Sequence, residues 1–61
     1  MNLYTVKIKA NEGDFDTWNR YHIAAKDAKQ ALDKSYRKFF KEFPIVKKCI
    51  ATELILVTED F

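Results

Sequence analysis

Residues 3–10 read Leu-Tyr-Thr-Val-Lys-Ile-Lys-Ala and alternate between apolar and polar side chains. A period of two residues is typical of a strand with one buried face. Residues 11–14, which include the only glycine, interrupt this pattern with turn-forming residues. A second β-rich stretch follows from Phe15 to Ala24. The two stretches together predict a β-hairpin. Its first strand turns these apolar side chains toward one side: Tyr4, Val6, Ile8 and Ala10.

The register of this hairpin decides which side chains face the core, because a slip of one residue exchanges the two faces. A two- or four-residue loop pairs Tyr4 with Tyr21 and turns Trp18 away from the core. A three-residue loop with a bulge turns Trp18 inward, but it also places the charged side chains of Asp16 and Arg20 on the core face. We therefore favour the first register.

A helix follows the hairpin, since the period changes at Asp27. Asp27 and Gln30 have the spacing of a capping box, in which each side chain satisfies a backbone N–H at the start of a helix. Pro44 disfavours the helical conformation at the preceding residue, so the helix should end near Phe43. A third strand is predicted from Cys49 to Thr58. The helix has a stripe of apolar and small residues that can cover a sheet: Ala28, Ala31, Leu32, Ser35, Tyr36, Phe39 and Phe43. Phe40 lies at the margin of this stripe and is the aromatic residue most expected to be exposed.

The order strand, strand, helix, strand predicts a single α+β domain over residues 1–61, with ββαβ topology. A right-handed crossover gives a three-stranded antiparallel sheet in the order 2-1-3, with the helix packed on one face. Nothing in the chain covers the other face. The third strand is apolar on both sides, with Ile50, Leu54 and Leu56 alternating with Cys49, Ala51, Ile55 and Val57. An apolar edge strand of this kind invites pairing with another chain.

The uncovered sheet face is the first candidate site, and we expect it to bind a protein partner or a second copy of the chain. Trp and Arg are the residue types most enriched at the energetic centres of protein interfaces. The alternative is that Trp18 belongs to the core, or that the Lys7 side chain covers it through a cation–π contact. The candidate partner-binding residues are Lys7, Trp18, Arg20, His22, Ile55 and Val57.

The helix and the segment after it form the basic part of the chain, since residues 26–48 hold eight basic and three acidic residues. The alternative function is therefore nucleic-acid binding or transcriptional regulation, with basic side chains following a phosphate backbone. A basic helix also serves simply to keep a small protein soluble, and the net charge of +2 is low for a dedicated nucleic-acid module. The candidate residues are Lys34, Arg37, Lys38, Lys41, Lys47 and Lys48.

Catalysis is not expected, because the residues that would carry it do not form a constellation. His22 is the only histidine and Cys49 the only cysteine, and they lie on different predicted strands. No phosphate-binding glycine loop and no metal-ligand spacing is present, so no catalytic residue, cofactor or metal is predicted. The lone cysteine and the absence of a predicted signal peptide or membrane span favour a cytoplasmic location.

Residues 21–32, Tyr-His-Ile-Ala-Ala-Lys-Asp-Ala-Lys-Gln-Ala-Leu, resemble the strand-to-helix junction of small uncharacterised bacterial and bacteriophage ββαβ proteins. This resemblance implies a small accessory protein of a phage or another mobile element. Such proteins often bind and block a host protein or regulate transcription. The resemblance assigns no functional residue, because the junction is a structural element in these proteins.

Overall fold

A computed structural model describes residues 1–12, 14–46 and 48–60, with the backbone alone at positions 12, 15, 49 and 50. Its elements are β1 (Asn2–Glu12), β2 (Phe15–Ala25), α1 (Ala28–Glu42) and β3 (Cys49–Thr58). β1 is the central strand and pairs antiparallel with both neighbours, so the sheet order is β2-β1-β3. The predicted ββαβ topology and strand order are confirmed. The predicted placement of the Cys49 and Ile50 side chains lies outside the described part of the chain, as does Lys47.

The hairpin has the predicted faces but not the predicted pairs. Tyr4 lies opposite Ile23 rather than Tyr21, and every other pair is shifted in the same way by two residues along β2. The shift arises because β1 continues to Glu12, which lies opposite Phe15 at the start of β2. A shift of two residues keeps every side chain on its predicted face.

The core lies between the sheet and α1. Most inward-facing residues of β1 and β2 are buried, and Ala31, Ser35 and Phe39 are the buried residues of the helix stripe. Val46 is also buried, although the sequence pattern did not place it in the core. The buried apolar residues of the core are Tyr4, Val6, Ile8, Ala10, Tyr21, Ile23, Ala25, Ala31, Phe39 and Val46.

The helix begins and ends where the sequence predicts. Asp27 is the N-cap in an extended conformation, and its carboxylate accepts a hydrogen bond of 2.8 Å from the Gln30 backbone N–H. The Gln30 side chain reaches back to accept from the Lys26 N–H, one residue before the cap. At the other end Phe43 is the C-cap, and its N–H donates to the carbonyl of Phe39. The capping interaction is confirmed.

We expect Asp27→Ala to lower the free energy of unfolding by about 0.5–2 kcal/mol, because the Gln30 N–H loses its acceptor at the start of the helix. Urea unfolding of both proteins at pH 7, followed by circular dichroism, measures the difference. Asp27→Asn is the matched control, because asparagine is an equally good N-cap residue. Equal stability of Asp27→Ala and the parent protein would contradict the assigned cap.

A polar contact ties the end of α1 to β2. The Glu42 carboxylate accepts hydrogen bonds from the Tyr21 hydroxyl at 2.7 Å and from the Asn19 side-chain amide at 2.9 Å. Burial raises the pKa of Tyr21 to about 12, and the hydrogen bond and charge of Glu42 act in the same direction. Lys34 donates to the carbonyl of Ala24 further along β2. These contacts fix the helix over the β2 side of the sheet.

The helix packs against β1 and β2 and has little contact with β3. The hydroxyls of Tyr36 and Thr52 share a hydrogen bond of 2.7 Å, and Leu54 is half-buried against the core. Leu56, which the sequence pattern places on the helix-facing side with Leu54, remains 44% exposed. The prediction that one helix covers a whole face of the sheet is therefore wrong for the end of β3.

Two details of the predicted helix stripe also differ. Ala28 is exposed, because it lies at the first helical position, before the helix crosses the sheet. Phe40 is half-buried rather than exposed. It packs edge-on against Phe39, with ring centroids 5.8 Å apart, which keeps it at the border of the core.

Candidate interaction surface

The face of the sheet opposite α1 is uncovered by any described residue, and we call it the open face. Its side chains alternate with the core-facing side chains along all three strands, so the strand pairing identifies which residues lie on it. All six predicted partner-binding residues lie on it. Its principal side chains are Thr5, Lys7, Lys9, Trp18, Arg20, His22, Ala51, Glu53, Ile55 and Val57.

Trp18 is 55% exposed on the open face, so the register that buried it does not form. It lies opposite Lys9, and the Lys7 ammonium reaches diagonally across the strands to lie 5.1 Å from the centre of the indole ring. This distance is typical of a cation–π contact. Lys7 lies opposite Arg20, so it meets Trp18 diagonally and not as a direct cross-strand pair. The cation–π contact that was the alternative for Trp18 forms, while the indole ring remains more than half exposed.

The open face contains a shallow depression of about 450 Å³ that extends across all three strands. A hydrogen bond of 3.1 Å joins the Thr5 hydroxyl to His22 Nδ1 and fixes one part of its floor. The depression brings five of the six predicted residues together, while Trp18 lies beside it, two residues before Arg20 on β2 and in contact with Lys7. Its lining residues are Thr5, Lys7, Arg20, His22, Glu53, Ile55 and Val57.

β3 is an edge strand with exposed apolar side chains on both faces. Ile55 and Val57 are 60% and 52% exposed on the open face, and Leu56 is exposed on the side that faces the helix layer. The pairing of β3 with β1 is regular between Ala51 and Leu56 and has an irregularity at each end of this segment. Glu53 is the only charged residue of the strand. Natural edge strands usually carry more charge or a proline to prevent pairing.

The basic residues of α1 do not form one uninterrupted surface. Lys34 is half-buried and donates to the carbonyl of Ala24, so its charge is held against β2. Arg37, Lys38 and Lys41 are exposed, and Lys48 is exposed after the helix. Asp33 lies beside Lys34 and Arg37 in a shallow surface groove. The predicted cluster therefore contains three exposed helical cations, and Asp27 and Asp33 both line the groove beside it.

Several residues of the surface were missed by the sequence analysis. Thr5 and Glu53 line the depression, and their alternation with core residues was the signal that could have placed them there. The exposure of Leu56 had no signal in the sequence, because it depends on how far the helix reaches over the sheet.

Neither a membrane-spanning helix nor a metal-binding cluster occurs in the part of the chain that the structure describes. No described helix is long and apolar enough to cross a membrane. Across residues 1–12, 14–46 and 48–60, no group of three or more His, Cys, Asp or Glu side chains is arranged to hold a metal ion.

Comparison with known proteins finds no similar protein. No family model matches the sequence, no curated protein is significantly similar to it, and no solved structure matches it. The resemblance of residues 21–32 to phage and bacterial ββαβ proteins stays a prediction.

Proposed function

We propose that this chain is a non-enzymatic interaction protein that binds a protein through the open face and the β3 edge. The observation that carries the proposal is the exposure of apolar residues on both faces of β3. Ile55, Leu56 and Val57 are consecutive and all more than 40% exposed. Burying such side chains gains about 1.5–3 kcal/mol each, which is large for a domain of 61 residues.

The chemistry of the open face fits a protein partner. Its β3 side supplies aliphatic side chains, and its β2 side supplies Trp18 and Arg20, so an apolar contact area is bordered by polar groups. An apolar centre with a polar rim is the usual composition of a protein interface. Lys7 occupies the central strand between Arg20 and Glu53, so a partner meets both signs of charge. The unpaired cysteine is compatible with action in the reducing cytoplasm.

Affinity capture with matched variants tests this proposal. Immobilised wild-type chain, Ile55→Lys and Ile45→Lys are incubated with cell lysate supplemented with untagged copies of the chain. Ile45 is 63% exposed outside the sheet, so Ile45→Lys introduces the same charge at an equally exposed isoleucine. We expect Ile55→Lys to lose the bound protein and Ile45→Lys to retain it. Equal binding by all three proteins would contradict the proposed surface.

The second candidate is nucleic-acid binding through the exposed cations of α1. Arg37, Lys38 and Lys41 lie within two turns of the helix and are all exposed, a spacing that allows contact with adjacent phosphates. Nuclease treatment in the capture experiment separates the two functions. A triple variant combines Arg37→Gln, Lys38→Gln and Lys41→Gln. If nuclease treatment and the triple variant both abolish capture of the bound protein, the result would favour nucleic-acid binding over a protein partner.

A further inference from the structure

We propose that the open face recognises an acidic segment of a partner protein, one in which a carboxylate lies close to an aliphatic side chain. This inference rests on the proposed function, because it names the chemistry of the protein that the open face binds. The cations and the aliphatic side chains occupy different parts of the open face, and each part fits one half of such a segment.

The cations of the open face are adjacent to one another on β1 and β2. Lys7 lies directly opposite Arg20, and Lys9 lies two residues along β1 from Lys7 on the same side of the sheet. Like charges at directly opposite positions of two strands repel each other. A carboxylate bound above these side chains would replace the repulsion with charge-assisted hydrogen bonds, which arginine can form with both carboxylate oxygens.

Arg20 has no acidic residue beside it in the part of the sheet that the structure describes. The open-face positions next to it hold Lys7 on β1 and an indole and an imidazole on β2. Across the sheet the first acidic residue is Glu53, which lies beyond Lys7 on β3, two strand spacings or ~10 Å away. Asp16 lies four residues along β2 and accepts a hydrogen bond from the side chain of Asn11. The exposed guanidinium can therefore pair with an anion from another molecule.

The β3 side of the open face supplies the aliphatic contact. Ile55 and Val57 are 60% and 52% exposed. Ile55 pairs with Thr5, which is the next open-face position along β1 from Lys7, so Ile55 is a diagonal neighbour of Lys7. Diagonal neighbours are about 7–8 Å apart, and alternate residues of an extended chain are ~7 Å apart. An extended segment with a carboxylate and an aliphatic side chain two residues apart can therefore contact both parts at once.

A nucleic-acid strand fits this face less well than an acidic protein segment. Surfaces that bind single strands combine a basic groove with aromatic side chains on which successive bases stack. Trp18 is the only Phe, Tyr or Trp side chain on the described open face, and aliphatic residues occupy its β3 side. A phosphate backbone carries a charge at every nucleotide and would meet Glu53, whereas a protein segment can place an uncharged residue there.

Tryptophan fluorescence provides the test, because Trp18 is the only tryptophan and is 55% exposed beside Lys7. The probe is a synthetic peptide of about ten residues, in which glutamate and leucine alternate on one side of the extended chain and serine fills the other. Two further peptides carry glutamine or lysine in place of glutamate, and a single-stranded DNA of matched charge is the fourth ligand. We expect the glutamate peptide to shift the emission to the blue and to bind at least about tenfold more tightly than the other three ligands.

Two variants separate the cationic part of the open face from the aliphatic part. We expect Arg20→Gln to weaken binding of the glutamate peptide about tenfold and to remove the preference for glutamate over glutamine. Ile55→Ser should weaken binding of the glutamate peptide without removing this preference. Lys29→Gln and Ile45→Ser are the matched controls, because Lys29 is exposed on α1 and Ile45 is 63% exposed outside the sheet, and both should bind like the wild type. Circular dichroism of each variant verifies that it is folded.

Equal binding of the glutamate and glutamine peptides would overturn the inference, as would tighter binding of the DNA or no binding of the glutamate peptide at ~1 mM. A blue shift that appears when the chain alone is concentrated would show that a second copy covers the open face, and it would overturn the inference as well. In each case, capture of a lysate protein that is lost with Ile55→Lys and retained with Ile45→Lys would leave the proposed function standing. Equal capture by both variants and the wild type would contradict the proposed function itself.

Discussion

Phe39→Ala should leave the protein largely unfolded at 25 °C. Phe39 is fully buried at the centre of the helix stripe, and it is the largest of the fully buried side chains. Its ring packs edge-on against Phe40 and lies 5.0 Å from the centroid of Phe43. Truncating a buried phenylalanine costs about 3–5 kcal/mol, and the core of a domain this small supplies only about 3–5 kcal/mol in total.

Circular dichroism and urea unfolding measure this loss for all variants at one fixed protein concentration. Phe39→Leu is the matched variant, since it retains an apolar side chain at the same position and should cost less than the alanine. Ile45→Ala removes an exposed side chain and should change the free energy of unfolding by less than about 0.5 kcal/mol. If Phe39→Ala unfolds cooperatively with the same free energy of unfolding as Ile45→Ala, the helix does not pack as described.

Ser35→Leu should lower the free energy of unfolding by about 1–3 kcal/mol, because the added carbons have no space beneath the helix. Ser35 is fully buried one turn before Phe39, and its hydroxyl donates to the carbonyl of Ala31 at 2.8 Å. The serine and Ala31 are both small, so the helix backbone approaches the sheet closely along this part of the stripe.

Ser35→Ala separates the effect of size from the loss of the hydroxyl. The Ala31 carbonyl keeps its backbone partner in the helical pattern, and alanine has the better helix propensity. We therefore expect Ser35→Ala to change stability by less than about 1 kcal/mol. Urea midpoints of the three proteins give the comparison. A leucine variant as stable as the alanine variant would contradict a close approach of helix and sheet.

Stability and interaction are connected in this protein through its small size. The helix covers β1 and β2 and leaves the end of β3 with consecutive exposed apolar residues. A domain with a larger core could leave such a strand uncovered at little relative cost. Here a partner bound to the open face and the β3 edge, as proposed, would add buried apolar area to a marginal fold, so we expect the bound protein to be more stable than the free one.

The sequence by itself determined the elements and the faces of the sheet. Alternation in β1 identifies Val6 and Ile8 as core residues, and the change of period at Asp27 marks the start of the helix. These features are local, because a strand repeats every two residues and a helix every 3.6. The same alternation put Trp18 on the open face once charged Asp16 and Arg20 were kept out of the core.

The tertiary structure alone decided three features that depend on distant contacts. The hairpin pairs lie two residues along β2 from their predicted positions. Alternation of side chains cannot distinguish these two registers, because a shift of two residues leaves every side chain on the same face. Lys7 meets Trp18 diagonally as a result. The exposure of Leu56 depends on where α1 crosses the sheet, and that position is held by Glu42 and Lys34 against β2. No periodicity encodes these features, because each is set by the packing of whole elements against one another.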